Sequence, residues 1–508
     1  MDFYNSMNKL KKNLLIPFLV FFSCLQMYSQ APNTMYFMKN VPYRHTLNPS
    51  LQPTQDFYLS LPILSYTHLN LSNNSVSLKE IFHNNNQGNT VYFLNPGGNK
   101  NNFYNALKPV TMFNTDLKIN ILGAGIRIYD NYITLDISQR LNSQVFVPKD
   151  LFKLLLYGTP SIYENKYNVS NFAFNAETFT DISFGYSHTL DKRLYLGGKI
   201  KLLFGNNNKS FSHSAMNLSA NIEQWNLIGN GVLNASGGDK LEVLGDFESI
   251  RYTSNGLKSI FTTAGFGAGF DVGMSYRIDQ NLTFSASLTD VGFINWSKNA
   301  TNTKYKLDYN YSGIMTQLSD RQSLQVLLDS VKTALINAKE VTHSEKSYNS
   351  YLLPKLNIGL EHRFFNDKLS LGLFSTTSIK HQSINEEVTA SVNTRPFSWL
   401  DATVSTSFFN GRFSNLGAGL GIKTGPLYWF STMDYIGFEN IPIPLQKIDT
   451  SLPNITLGAP YNTQAFNFAL GVTFAFDNLK WFKSITPSPF YDENSKNQLN
   501  SNDCNCGW

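Results

Sequence analysis

Apolar and polar residues alternate along much of this chain with a period of two. Between 265 and 276, Phe266, Ala268, Phe270, Val272, Met274 and Tyr276 take one parity, while Gly265, Gly267, Gly269, Asp271, Gly273 and Ser275 take the other. A β-strand turns successive side chains to opposite faces, so this run has one apolar face and one small or polar face. After the turn-like stretch from Arg277 to Asn281, Leu282, Phe284, Ala286 and Leu288 alternate again with Thr283, Ser285, Ser287 and Thr289, which predicts a hairpin. The rule recurs at 132–140, 194–204, 356–364 and 369–375. It is weaker at 57–67, 115–128, 178–189, 210–225, 240–252, 301–311, 385–394, 398–409, 415–423 and 427–436. Together these runs predict an all-β fold, a transmembrane antiparallel β-barrel of about 14 strands (14–16).

The polar parity carries Lys118, Asp136, Arg140, Lys199, Lys201, Asp271, Glu361 and Arg363. A Lys or Arg facing lipid at the bilayer midplane costs about 2–4 kcal/mol, so these eight side chains are expected to point into the lumen. A soluble sandwich could alternate in the same way, but its strands are usually shorter and its exterior more charged than the 15% of this chain. Trp399, Phe408, Phe409, Tyr428 and Trp429 fall near strand ends and suit an interfacial girdle. Two segments read as short loop helices: Lys149 to Gly158, and Leu318 to Glu340 with its stripe Leu324, Leu327, Leu328, Val331, Leu335 and Ile336. The Asn- and Gly-rich stretch from Asn84 to Asn105 reads as a loop.

The N-terminus has the grammar of export. Lys9, Lys11 and Lys12 precede an apolar core from Leu14 to Leu25, and Ser29 precedes Gln30, so 1–29 is expected to be a cleaved signal peptide. Cys24 raises the alternative of a lipidated cysteine, although the usual Leu before it is missing. No later stretch is apolar and long enough for a spanning helix. The formal charge of +5 falls to +3 without the leader's three Lys and one Asp, and no concentrated basic patch points to nucleic acid. Of the 3 cysteines, only Cys504 and Cys506 remain after the leader, so no disulfide framework is expected. They lie in a polar tail, 477–508, expected to be periplasmic and disordered.

The last alternating run, Phe466 to Phe476, contains Gly471, Phe474 and Phe476 in a Gly-x-x-Φ-x-Φ arrangement. It resembles the β-signal by which barrel-assembly machinery recognises its substrates, and an exposed closing strand can pair there by edge addition. Near the other end, Arg44-His45-Thr46-Leu47-Asn48-Pro49-Ser50 leads into the first strand, with Leu61-Pro62 and then Ser75-Val76-Ser77-Leu78 following. This pattern resembles a family of Bacteroidota outer-membrane barrels related to the FadL-type long-chain fatty acid transporters and the PorV-like barrels of type IX secretion. The resemblance covers about 36–82, with Ser50 standing where relatives usually have Ala. It implies a lumenal hatch at 30–56 ahead of a barrel at 57–476, with Asn48, Pro49 and Ser50 at the hatch turn. An ordinary turn before the first strand is the alternative.

The 8 histidines form no recognisable catalytic motif, and neither a phosphate-binding loop nor a metal-ligand set stands out. The chain therefore reads as a non-enzyme without cofactor or metal, located in the outer membrane. Its expected partners are outer-membrane lipid, the assembly machinery and, in one reading, another outer-membrane protein. Three classes stay open. A FadL-like channel for hydrophobic small molecules would need an apolar pocket under the hatch and an opening or kink at the Gly-rich stretch 263–273. A PorV-like interaction or scaffold barrel would use long loops, and a closed structural barrel would do neither. A lumen packed by ionic pairs, such as Glu361 with Arg363, would argue against a greasy tunnel.

Overall fold

A computed structural model of the chain describes residues 32–60, 65–84, 90–94, 98–158, 165–221, 224–237, 263–312, 340–380, 383–409, 412–437, 440–444, 456–460 and 463–477. Its core is a closed barrel of 14 antiparallel strands. In chain order the wall strands are β1 (Phe57–Ser60, continued by Tyr66–Asn73), β2 (Val110–Ile128), β3 (Asn131–Pro148), β4 (Ala173–Thr189) and β5 (Leu194–Ala220). Then come β6 (Gly265–Arg277), β7 (Leu282–Trp296), β8 (Lys355–Phe364), β9 (Leu369–Lys380) and β10 (Ser383–Phe397). The ring is completed by β11 (Leu400–Phe409), β12 (Arg412–Thr424), β13 (Leu427–Gly437) and β14 (Ala465–Phe476). Each strand pairs with the next, and β14 pairs back onto β1 through Leu59 opposite Phe474 and Leu69 opposite Phe468. Closure matters because hydrocarbon offers no partner to a free strand edge.

The alternation decides which face meets what. On β6, Phe266, Phe270 and Val272 stand on the outer surface and are about half exposed, whereas Asp271 is buried within the ring. The outer positions of β8 repeat this with Leu356, Ile358, Leu360 and Phe364, while Asn357, Gly359, Glu361 and Arg363 turn inward. Among the described residues no helix is long and apolar enough to cross a membrane. The apolar band of the strands is what can meet lipid, which makes this a barrel of the outer-membrane type.

Strict parity breaks at bulges. On β2 the register slips between Asn120 and Leu122, so Asp116 and Asn120 face inward before it while Gly123, Gly125 and Arg127 do so after it. On β7 the slip opposite Phe270 and Val272 turns both Thr289 and Asp290 inward, with Asp290 at φ 58°. The Gly-rich start of β6 does not open the wall. Its ladder to β5 is continuous from Gly265 to Tyr276, and its ladder to β7 is interrupted only by that bulge. The glycines instead bring β6 and β7 close together: a Cβ on Gly292 would lie 2.7 Å from the Cα of Gly269.

The two ends of the barrel differ. At one end short turns join the strands, at Tyr129–Asp130, 190–193, 278–281, 365–368, 398–399 and 425–426. At the other end the chain rises past the wall. Strand β5 is 27 residues long, well over the ~9–11 that a tilted strand needs to cross a bilayer. Its distal half leaves β6 and pairs with Gln224–Ser236, which pairs in turn with Thr301–Ser312. The runs at 210–225 and 301–311 are therefore an extension above the barrel rather than wall strands. Phe211, Met216, Leu218, Leu233, Tyr305 and Leu307 give this extension an apolar core, which Leu154 of the helix Lys149–Tyr157 joins. Within the stretch expected to be a loop from Asn84 to Asn105, two described pieces form regular structure. Thr90–Tyr92 pairs with Phe82–Asn84, and Phe103 of the helix Lys100–Ala106 stacks on Phe93 at 4.0 Å. The signal peptide, the 240–252 run, the helix expected to begin at Leu318, and the tail with Cys504 and Cys506 lie outside the described residues.

Candidate functional site

The lumen is filled from the short-turn end by the chain's own residues 32–56. Their contacts run around the ring. Thr34 donates its backbone N–H to Asp434 of β13 (3.1 Å), and its hydroxyl bonds both Asp434 and Ser405 of β11. The Tyr36 hydroxyl meets Ser285 of β7 at 2.9 Å, and its ring stacks on Phe374 of β9 at 4.1 Å. Tyr43 donates to Ser60 (2.6 Å) and stacks on Tyr66, both on β1. Ser287 of β7 and Asn357 of β8 both donate to the carbonyl of Leu47, at 2.7 and 2.8 Å. Met35, Met38, Val41 and Leu51 are buried with the wall aromatics Tyr66, Phe374, Tyr428 and Phe430 in one apolar layer.

The turn expected at Asn48, Pro49 and Ser50 sits at the centre of this docking. The Leu51 N–H donates to the Asn48 carbonyl (3.0 Å), closing a four-residue turn that Pro49 favours by fixing its own φ. The Asn48 side chain accepts from both the backbone and the hydroxyl of Ser50, at 3.0 and 2.8 Å. The Ser50 hydroxyl thus adds a bond within the turn that an Ala could not make. The turn fits because Gly197 on β5 and Gly273 on β6 leave room: a Cβ on either would strike Pro49 or Asn48.

Above this segment lies a layer of buried charge. Arg140 forms a two-pronged bond to Asp290, at 2.7 and 3.0 Å, and Lys201 reaches both Asp290 (2.6 Å) and Asp271 (2.7 Å). The backbone N–H of Asp290 donates to Asp271 at 2.7 Å, fixing the bulge that presents the carboxylate. Lys199 pairs with Asp136 at 3.0 Å, and Lys355 with Asp116 at 3.4 Å. A charge taken out of water is strongly penalised unless paired, and this layer pairs nearly all of its charges. A cavity of about 50 Å³ lies between the layer and Leu47.

Of the eight residues expected in the lumen, Lys118, Arg140, Lys199, Lys201 and Asp271 line this cavity, and Asp136, Glu361 and Arg363 are buried. Glu361 and Arg363 do not pair with each other. Glu361 faces Lys39 of the N-terminal segment at 3.9 Å, and Arg363 donates to the carbonyl of Gln280 (2.9 Å) and approaches Asp367 at 3.7 Å. Sequence reasoning missed Asp290, because fixed parity places it outward with Leu288, and only the bulge brings it in. It also missed Lys39, which donates to Asp367 at 2.6 Å and pins the segment to the 365–368 turn. Tyr428 is not part of a girdle: it is buried in the lumen and donates to Asp401 (2.9 Å), while its neighbours Trp399 and Trp429 stand on the outer surface. Gly471 faces inward on β14, and Phe474 and Phe476 face outward, opposite Leu59 and Phe57 of β1. His188 bonds Asn131 (2.8 Å) rather than a hydroxyl nucleophile.

A search of curated proteins finds no match to the chain. Solved structures with a similar chain tracing include a FadL homologue from Pseudomonas aeruginosa, 11% identical with a TM-score of 0.39, covering 89% of this chain and 100% of that one. They also include the toluene transporter TodX of Pseudomonas putida, 8% identical, TM-score 0.37, covering 89% and 95%. A third is the translocator domain of the autotransporter NalP from Neisseria meningitidis, 7% identical, TM-score 0.28, covering 83% and 89%. The match to a protein family is more direct. Residues 49–434, which hold Pro49, the ionic layer, twelve whole wall strands and most of a thirteenth, match the family of unknown function DUF5723, and the chain belongs to that family.

Proposed function

We propose that this chain is an outer-membrane protein whose barrel is shut at rest by its N-terminal segment and serves as a FadL-like gated channel for small hydrophobic molecules. The observation that carries the reading is the apolar layer between segment and wall. Tyr66, Phe374, Tyr428 and Phe430 belong to the wall, so withdrawing Met35, Tyr36 and Met38 would uncover an aromatic passage at the short-turn end. By the usual polarity of such barrels that end is periplasmic. The charged layer supports a second reading. Its paired Lys, Arg and Asp would obstruct an apolar solute crossing the whole lumen, and the extension above the wall would suit an interaction or scaffold barrel. One comparison separates the two. Proteoliposomes holding the intact protein or a variant lacking 32–56 are tested for uptake of a fluorescent fatty acid and for ionic conductance. Channel function requires faster uptake by the truncated barrel than by protein-free vesicles. Conductance without hydrocarbon uptake would overturn the hydrophobic-substrate reading, and a stable outer-membrane partner retained in mild detergent would favour the scaffold.

A further inference from the structure

We infer that the two places on the wall filled at rest by Tyr36 and Tyr43 are binding sites for a phenolic ring, and that a free phenol competes there with residues 32–56. The first seat is a single row across three strands. Ser285 of β7 stands opposite Gly359 of β8, and Gly359 stands opposite Phe374 of β9. Tyr36 lies along that row, with its ring stacked on Phe374 at 4.1 Å and its hydroxyl 2.9 Å from that of Ser285. Gly359 leaves the hollow between them, because a Cβ there would lie 2.6 Å from a ring carbon of Tyr36. The second seat repeats the plan on β1 and β2. Ser60 stands opposite Gly123, and Tyr43 stacks on Tyr66 at 4.8 Å while donating to Ser60 (2.6 Å) and Asn120 (3.1 Å). A Cβ on Gly123 would lie 2.6 Å from the Tyr43 hydroxyl oxygen.

Each seat is thus a flat ring, a glycine hollow and a neutral polar end, and all three belong to the wall. They stay in place when the segment leaves, whereas Asn48, the other partner of the Tyr36 hydroxyl, goes with it. The polar end sets the class of ligand. Ser285, Ser60 and Asn120 can exchange hydrogen bonds with an O–H, but they bring no positive charge to a carboxylate. A ring without a hydroxyl would fill the hollow and leave these buried groups unpaired, at a loss of roughly fivefold in affinity per bond. The seats therefore fit a simple phenol better than a fatty acid or a bare aromatic hydrocarbon. This inference rests on the reading that residues 32–56 can leave the wall, and it adds the kind of molecule that displaces them.

The test uses the full-length protein in detergent, treated with trypsin in the presence of p-cresol, toluene or decanoate at equal concentrations. These are set on the order of millimolar, the effective concentration at which a tethered side chain competes. Cleavage after Lys39 and Arg44 is followed by mass spectrometry, and heat-modifiability confirms that the barrel stays folded. p-Cresol should speed cleavage roughly fivefold more than toluene or decanoate does, and the double variant Ser60→Ala with Ser285→Ala should erase its advantage over toluene. Equal acceleration by toluene, no acceleration by p-cresol, or an advantage that survives the double substitution overturns the inference. If the double variant does not fold, the wild-type comparison of p-cresol with toluene decides. The channel reading fails by a different result: a barrel lacking 32–56 that takes up no fatty acid removes transport but leaves phenol-dependent release standing, whereas uptake without such release keeps the channel and removes the two sites.

Discussion

Asp290 carries the largest burden of any single residue in the lumen. It adopts a left-handed backbone at φ 58° inside a strand, a conformation that Asp and Asn tolerate better than most residues. It accepts from Arg140 and Lys201 at once. Asp290→Ala leaves two buried cations short of a counter-charge and keeps the unfavourable φ, so it is expected to cost about 3–5 kcal/mol in denaturant unfolding from lipid vesicles. Asp290→Asn keeps the backbone preference and an acceptor, and should lose less, on the order of 2 kcal/mol. Equal losses would mean that the charge is not what holds the bulge. A paired substitution on β5 tests the docking of the turn. Gly197 faces Pro49, whereas its neighbour Gly198 faces away, with nothing nearer a built Cβ than 3.7 Å. Gly197→Val should unseat residues 32–56 and expose Lys39 and Arg44, both about 2% accessible in the folded protein, to trypsin. Gly198→Val should leave them protected.

At the scale of the strand, the closing element makes its own prediction. Phe474 and Phe476 are the last two outward aromatic residues of β14, directly across from β1. Replacing both with Ser removes the aromatic positions of the proposed assembly signal, and the heat-modifiable, folded fraction in outer membranes should fall several-fold. The same double change made at Phe266 and Phe270 on β6, equally outward but in mid-sequence, should fall less if recognition is of the last strand. Strands were the most legible part of the sequence because a membrane barrel must be apolar on one parity, and β6 and β14 follow the rule without exception, while β8 departs from it only at His362. The failures each have a physical cause. A bulge adds one residue and reverses the parity after it, so Arg127 and Asp290 could not be placed from alternation alone. Alternation also cannot say how far a strand continues beyond lipid, which is why 210–225 and 301–311 read as wall. The short pieces at Thr90–Tyr92 and Lys100–Ala106 were missed because their order depends on packing around Phe93 and Phe103, not on local periodicity.

For the whole molecule, the state of the lumen is the property to measure. The turn at Asn48-Pro49-Ser50 was visible in the sequence, but its seat was not, because the partners of residues 32–56 come from strands spread over the entire chain. Intact protein in planar bilayers should show little ionic current, and the variant lacking 32–56 should show stepwise openings at least several-fold larger. A current from the intact barrel equal to that of the variant would mean that the segment does not seal it.

Thr34 and Asp434 stand 400 positions apart, yet they share a hydrogen bond. Translocation delivers the N-terminal segment first and its last partners near the end, so the segment must wait, unfolded or loosely held, until the ring around it is almost complete. Assembly of this barrel is therefore order-constrained in a way that a bare cylinder is not. Closing β14 onto β1 too early would lock out the very residues that belong inside, leaving a shell with five or more lumenal cations and carboxylates hydrated rather than covered. Biogenesis itself then becomes a point of control, since the timing of closure decides whether the cell receives a sealed barrel or a leaking one.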